Sequence, residues 1–218
     1  MPTSRTEFSA RTHGFRFANA FRFSFEFNLP FVGRINLGRI VYGLCGGMCF
    51  AALDYLLAGE RMPATTTLPA RRSALHTYLW QRQLDSFSGP VVPLRVIEWM
   101  LRTNGDVERL TAAKEFPKLR ARIDQGSPAV LCLIRGRGLA NPTQNHQVLA
   151  TGYRYDTATG RVSIDVYDPS RPGQEPKLSM NLRDPSRGID LAQSTGEPLR
   201  GFFMVRYRAA QGPLPEEG

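Results

Sequence analysis

The spacing of apolar positions changes period once, near residue 127. Before that point, Cys45, Met48, Cys49, Ala52, Leu53, Leu56 and Leu57 recur at three- and four-residue intervals, the stripe of a helix facing a core. Gly59 suits its C-terminal cap. Residues 63–69 read as a surface loop. Helical spacing returns over 73–84 and again over 93–102, where Thr103-Asn104-Gly105 ends it. A further helix is predicted from Pro117, a residue suited to a first helical position, to Gln125 before Gly126. Beyond Ser127 the apolar residues come in short blocks with turn residues between them, predicting strands over 129–135, 146–155, 161–168, 177–182 and 201–208.

Upstream of the first helix, phenylalanine occupies 15, 17, 21, 23, 25 and 27, always an odd position. That alternation predicts N-terminal strands within 14–28, turned at Asn19, with Arg16, Arg22, Ser24 and Glu26 facing water. Asn28-Leu29-Pro30 closes the run, and a loop over 32–42 follows. Helices first and sheet second argue for an α+β domain of two lobes. We expect one domain over 1–210, with a helical lobe at 43–126, a sheet lobe at 127–208, a cleft between them, and a frayed tail at 211–218.

The formal charge of +9 narrows the possible partners less than its size suggests. Of the 28 basic residues 25 are arginine, the lysines being Lys114, Lys118 and Lys177, and they are spread from Arg5 to Arg208 without forming a stripe. A codon bias accounts for that better than a nucleic-acid interface, though an arginine-rich nucleic-acid binder stays a second alternative. Cysteines at 45, 49 and 132 make no disulfide framework, and histidines at 13, 76 and 146 have no metal-ligand spacing, so neither metal nor cofactor is expected. With no signal-like or membrane-spanning run, no membrane insertion and a reducing cytoplasm are the expectation.

The chemistry gathers in two places. In Tyr42-Gly43-Leu44-Cys45-Gly46-Gly47-Met48-Cys49, Cys45 stands in the first turn of the predicted helix, where the dipole and unpaired N–H groups favour thiolate. Gly46 and Gly47 would let a substrate backbone approach the sulfur. Cys49, one turn inside the stripe, and Cys132, inside an apolar strand, read as small buried hydrophobes. The second place is the hairpin of His146 to Tyr153 and Arg161 to Asp168, around Asp156-Thr157-Ala158-Thr159-Gly160. Centred on Thr157, it pairs Ala150 with Ile164, Val148 with Val166, and His146 with Asp168. That register sets an aspartate against a histidine as orienter and base. A polar pair at a sheet end, or an aspartate that only starts the turn Asp168-Pro169-Ser170, is the plainer reading.

Cys45-Gly46-Gly47-Met48-Cys49, His146-Gln147-Val148-Leu149 and Asp168-Pro169, in that order over about residues 40–173, resemble the papain-like cysteine peptidase superfamily. The closest likeness is to its C39-like branch, which includes the bacteriocin leader-processing peptidases. The resemblance implies a papain-like two-lobed fold and a Cys-His-Asp triad of Cys45, His146 and Asp168 acting on the acyl group of a peptide or protein substrate. Cys49-Phe50-Ala51 also resembles a papain-type Cys-aromatic-Ala, which makes Cys49 the alternative nucleophile. The family's oxyanion glutamine, about six residues before the nucleophile, is replaced by Arg39, leaving Asn36 as the candidate amide beside the Cys45 backbone N–H. A catalytically inactive peptide- or protein-binding domain of the same fold is the first alternative.

Overall fold

The computed structural model describes residues 3–21, 23–24, 41–138 and 142–216. The chain opens with β1 (Thr3–Arg5) and α1 (Ala10–His13), followed by a two-stranded pair, β2 (Phe23–Ser24) and β3 (Val41–Tyr42). Helices α2 (Cys45–Ala58), α3 (Ala74–Ser86), α4 (Val91–Leu101) and α5 (Asn104–Leu110) come next. Through the π-helical turn Thr111–Glu115, α5 continues into α6 (Phe116–Asp124). Strands β4 (Ala129–Ile134), β5 (His146–Tyr155), β6 (Arg161–Tyr167), β7 (Lys177–Asn181), β8 (Ala192–Gln193) and β9 (Gly201–Met204) form an antiparallel sheet in the order β8-β7-β6-β5-β4-β9. β1 adds to it by pairing with Gly152–Arg154, past the point where β4 stops. The molecule is therefore α+β, with the sheet curled into a half-barrel.

The sheet splits the interior into two cores. Along β4, Val130, Cys132 and Ile134 pack towards α2, α3 and α4, whereas Ala129, Leu131 and Leu133 pack on the other face with Phe116, Leu119 and Ile123 of α6. Burial on both faces is why this strand is an unbroken apolar run instead of an alternating one. Wedged between α3 and the sheet, α2 is buried continuously from Gly46 to Tyr55, a wider contact than its predicted stripe. Gly59 closes it in the left-handed conformation (φ 67°), its N–H bonded back into the last turn.

Several elements differ from the sequence reading. Residues 14–21 form no strand, yet Phe15, Phe17 and Phe21 are all buried, so the odd-numbered rings seek the core without a ladder. Residues 25–40 lie outside the described residues, and with them Phe25, Phe27, Asn36 and the expected 32–42 loop except Val41 and Tyr42, which form β3. The helix expected from Pro117 is α6, but it continues a helical stretch that already begins at Asn104. Thr103 Oγ1 accepts the Asp106 N–H at 3.2 Å and caps it, so the Thr103-Asn104-Gly105 stop is also a start. The π-helical turn just before Pro117 loosens the ladder where that residue has no N–H to give. β9 ends at Met204, and Val205 N–H still bonds Val130 O. The tail does not fray from residue 211: Leu214 packs on the core and the Tyr55 hydroxyl donates to the Pro215 carbonyl. Among the described residues no helix is long and apolar enough to cross a membrane.

The β5–β6 register is also corrected. The turn is held by Asp156, whose carboxylate accepts from Ala158 N–H and the Thr159 hydroxyl, and by Gly160 at φ 77°. Tyr155 therefore faces Val162 and Tyr153 faces Ile164. An extra residue at Thr151 then shifts the ladder, so that Ala150 faces Val166, not Ile164, and Leu149 faces Tyr167. His146 is not directly opposite Asp168. Relative to the expected pairing the slip at the strand end is even, so side chains there keep their faces and the two residues become diagonal neighbours, whereas on the turn side of Thr151 it is odd and Tyr153, not Gly152, shares the face of Ala150.

Candidate active site

Three element boundaries converge here: the first residue of α2, the first residue of β5, and the residue after β6. At the third, Asp168 is almost fully buried; its Oδ1 accepts the Ser170 N–H at 2.8 Å and faces His146 Nε2 at 2.7 Å. The turn role and the histidine role are thus carried by the same oxygen. With Nε2 committed to Asp168, Nδ1 is the nitrogen left for sulfur; Cys45 and His146 line the same cavity, and each shifts the other's pKa. Asn145 fixes the approach to His146. Its Oδ1 accepts the N–H groups of Arg135 and Gly136, and its amide nitrogen donates to Pro142 O.

Gln147 separates the two helix cysteines. β6 ends opposite Leu149, so the backbone groups of Gln147 lack a strand partner on that side and turn to α2. Its N–H donates to Cys45 Sγ at 3.4 Å, and its carbonyl accepts from Cys49 Sγ at 3.6 Å. Cys45 is held as an acceptor and Cys49 as a donor. Burial alone would raise the Cys45 pKa. The His146 charge and hydrogen bond, with the N–H groups of Gln147 and Gly46, outweigh burial and bring it below the ordinary thiol value. Burial pushes Cys49 well above that value and raises Cys132 too. For His146 burial opposes charge, but Cys45 and Asp168 together raise it to about 10. Asp168, despite burial, is lowered by its hydrogen bond to His146 and by the His146 charge. The arrangement favours a thiolate–imidazolium pair beside a carboxylate.

The glycines after Cys45 serve packing instead of substrate approach. A Cβ on Gly47 would lie 2.2 Å from Leu79 O, and one on Gly46 2.2 Å from Ser86 Oγ, so both let α3 close onto α2. Gln83 of α3 caps the helix start, its Oε1 accepting the Gly47 N–H at 2.9 Å.

Asn19 and Gln83 are site residues that no spacing in the sequence announced. Asn19 Oδ1 accepts the Leu44 N–H at 2.7 Å, and its amide nitrogen lies 2.4 Å from where a Gly43 Cβ would stand, two residues before Cys45. The one hint was its place as a polar break in the phenylalanine run. Both residues, with Cys45 and His146, line a cavity of about 530 Å³ walled by α4. Among the described residues no group of three or more His, Cys, Asp or Glu is arranged to hold a metal ion. No family model, curated protein or solved structure matches the chain.

Proposed function

We propose that this protein is a thiol hydrolase or acyltransferase acting on a peptide or amide carbonyl, a papain-like, two-lobed enzyme of the C39-like kind. The observation that carries the reading is the 2.7 Å contact of His146 Nε2 with Asp168 Oδ1, with Cys45 and His146 lining one cavity. It comes with a lowered pKa at Cys45 and raised ones at Cys49 and Cys132. Cys45 Sγ attacks the carbonyl carbon. The oxygen that gains the electron pair is met by the Cys45 backbone N–H at the helix start and by the Asn19 side-chain amide, which takes the part expected of Asn36. His146 then delivers its proton to the leaving amine as the carbon–nitrogen bond breaks. Water or a second amine, deprotonated by His146, releases the acyl group from sulfur. Asp168 keeps Nδ1 turned to the sulfur and stabilises the imidazolium.

Labelling by a thiol-directed acyl probe tests this directly. Cys45→Ala abolishes labelling and Cys49→Ala keeps it; loss confined to Cys49→Ala would overturn the assignment. If Cys45 alkylates no faster than a free thiol at neutral pH, the inactive binding domain replaces the enzyme.

A further inference from the structure

We propose that the cavity beside Cys45 is a subsite for a large uncharged apolar side chain, borne by the substrate residue whose carbonyl Cys45 attacks. This rests on the reading of Cys45 as nucleophile. The cavity has about 530 Å³, inside the range of roughly 300–1,000 Å³ typical of sites that bury a small ligand. Apart from Cys45, Cys132 and His146, none of the described residues lining it is ionisable. A charged side chain placed against the α4 wall would lose its water and meet no counter-charge there.

The walls come largely from α4, whose apolar content exceeds what the core covers. Val92, Trp99 and Met100 are buried in the core, while Val96 and Ile97 are only partly covered and Leu94 is 50% exposed; these three face the cavity or its rim. Near the sulfur the lining changes character. Asn19, Gln83 and Gln147 line the cavity too: the Asn19 and Gln83 side-chain amides are tied to the α2 start, and the Gln147 backbone N–H to Cys45. Amides beside the nucleophile suit a peptide backbone, and the α4 wall suits the side chain it carries.

The test uses N-acetyl aminoacyl chloromethyl ketones with leucine, phenylalanine, glycine, aspartate or lysine side chains, and iodoacetamide as the probe without a side chain. In each case the thiolate displaces halide and forms a thioether, read by mass on the Cys45 peptide. The leucine and phenylalanine probes are expected to react at least tenfold faster than the glycine, aspartate and lysine probes. Leu94→Glu, at a half-exposed position that does not threaten folding, should slow the apolar probes, speed the lysine probe and leave iodoacetamide unchanged. Equal rates for all five side chains, or a preference for glycine or a charged one, with fast iodoacetamide labelling, would overturn the subsite and spare the nucleophile. Iodoacetamide labelling at the pace of an ordinary thiol would overturn both.

Discussion

Cys45 and Cys49 stand one helical turn apart and are chemical opposites, because one strand residue gives its N–H to the first and its carbonyl to the second. The pH dependence of acylation follows. The reactive pair needs the thiolate and the imidazolium together. Its rate should rise through a pKa below the ordinary thiol value and fall again near about 10, where His146 loses its proton. A stopped-flow profile with an amide-leaving substrate measures both limbs; a single rise at the ordinary thiol value would contradict it. Asn19→Asp separates the two duties of that side chain. It retains an oxygen for the Leu44 N–H but removes the donor, so acylation should drop about 10²–10³-fold while iodoacetamide alkylation, which forms no oxyanion, stays the same. Cys45, His146 and Asp168 were legible because each carries a boundary signal of its own: a helix start, a strand start, an Asp-Pro turn. Asn19 and Gln83 were not, since each acts on α2 from a segment remote in sequence, across a contact that local pattern does not encode.

At the scale of elements, period was readable and length was not. The β5–β6 hairpin was foreseen, but its exact pairing depended on side-chain bonds of Asp156 inside the turn and on the extra residue at Thr151. The slip is even at the His146 end of the hairpin, which is why the His146–Asp168 contact survives a wrong register. The long helical stretch ahead of Pro117 escaped because its cap, Thr103, sits in a run that equally signals a stop. That stretch is tied to the sheet by Glu115, almost fully buried. Its carboxylate accepts from Arg95 at 2.8 Å, Lys118 at 3.0 Å and the Met204 N–H at 2.9 Å. Although burial opposes it, these donors hold the Glu115 pKa below its ordinary value. Its stabilisation is therefore full above the ordinary carboxylate range and is lost as pH falls through the lowered pKa. Glu115→Gln should cost about 1–3 kcal/mol at neutral pH, with the gap from wild type closing in acid; urea midpoints at the two pH values check both parts.

Across the whole molecule, the far half of α2 is where the chain's end is fastened. Asp54 accepts from Arg82 Nε at 2.7 Å, the Tyr78 hydroxyl at 2.8 Å, the Tyr207 hydroxyl at 2.6 Å and the Ala210 N–H at 2.9 Å. The Arg82 guanidinium also donates to the Arg208 carbonyl and lies over the Phe50 ring. Asp54→Ala would leave that buried guanidinium with only the half-exposed Asp85 as counter-charge, a loss of about 3 kcal/mol. Urea unfolding measures the loss, and limited proteolysis should find new cleavage beyond Tyr207. The α+β class was legible from the switch of period at residue 127, whereas this fastening was not, because it joins residues of no shared pattern.

The order in which the chain is made adds a last consequence of the Gln147–Cys45 contact. The two residues are 102 positions apart, and β1, made before either, also waits for β5 as its strand partner. A ribosome finishes α2 on the order of ten seconds before it supplies the strand that polarises the sulfur. Until then Cys45 has neither His146 nor the Gln147 N–H and titrates as an unremarkable thiol. The polarised sulfur is thus a product of completed folding and not of the helix alone.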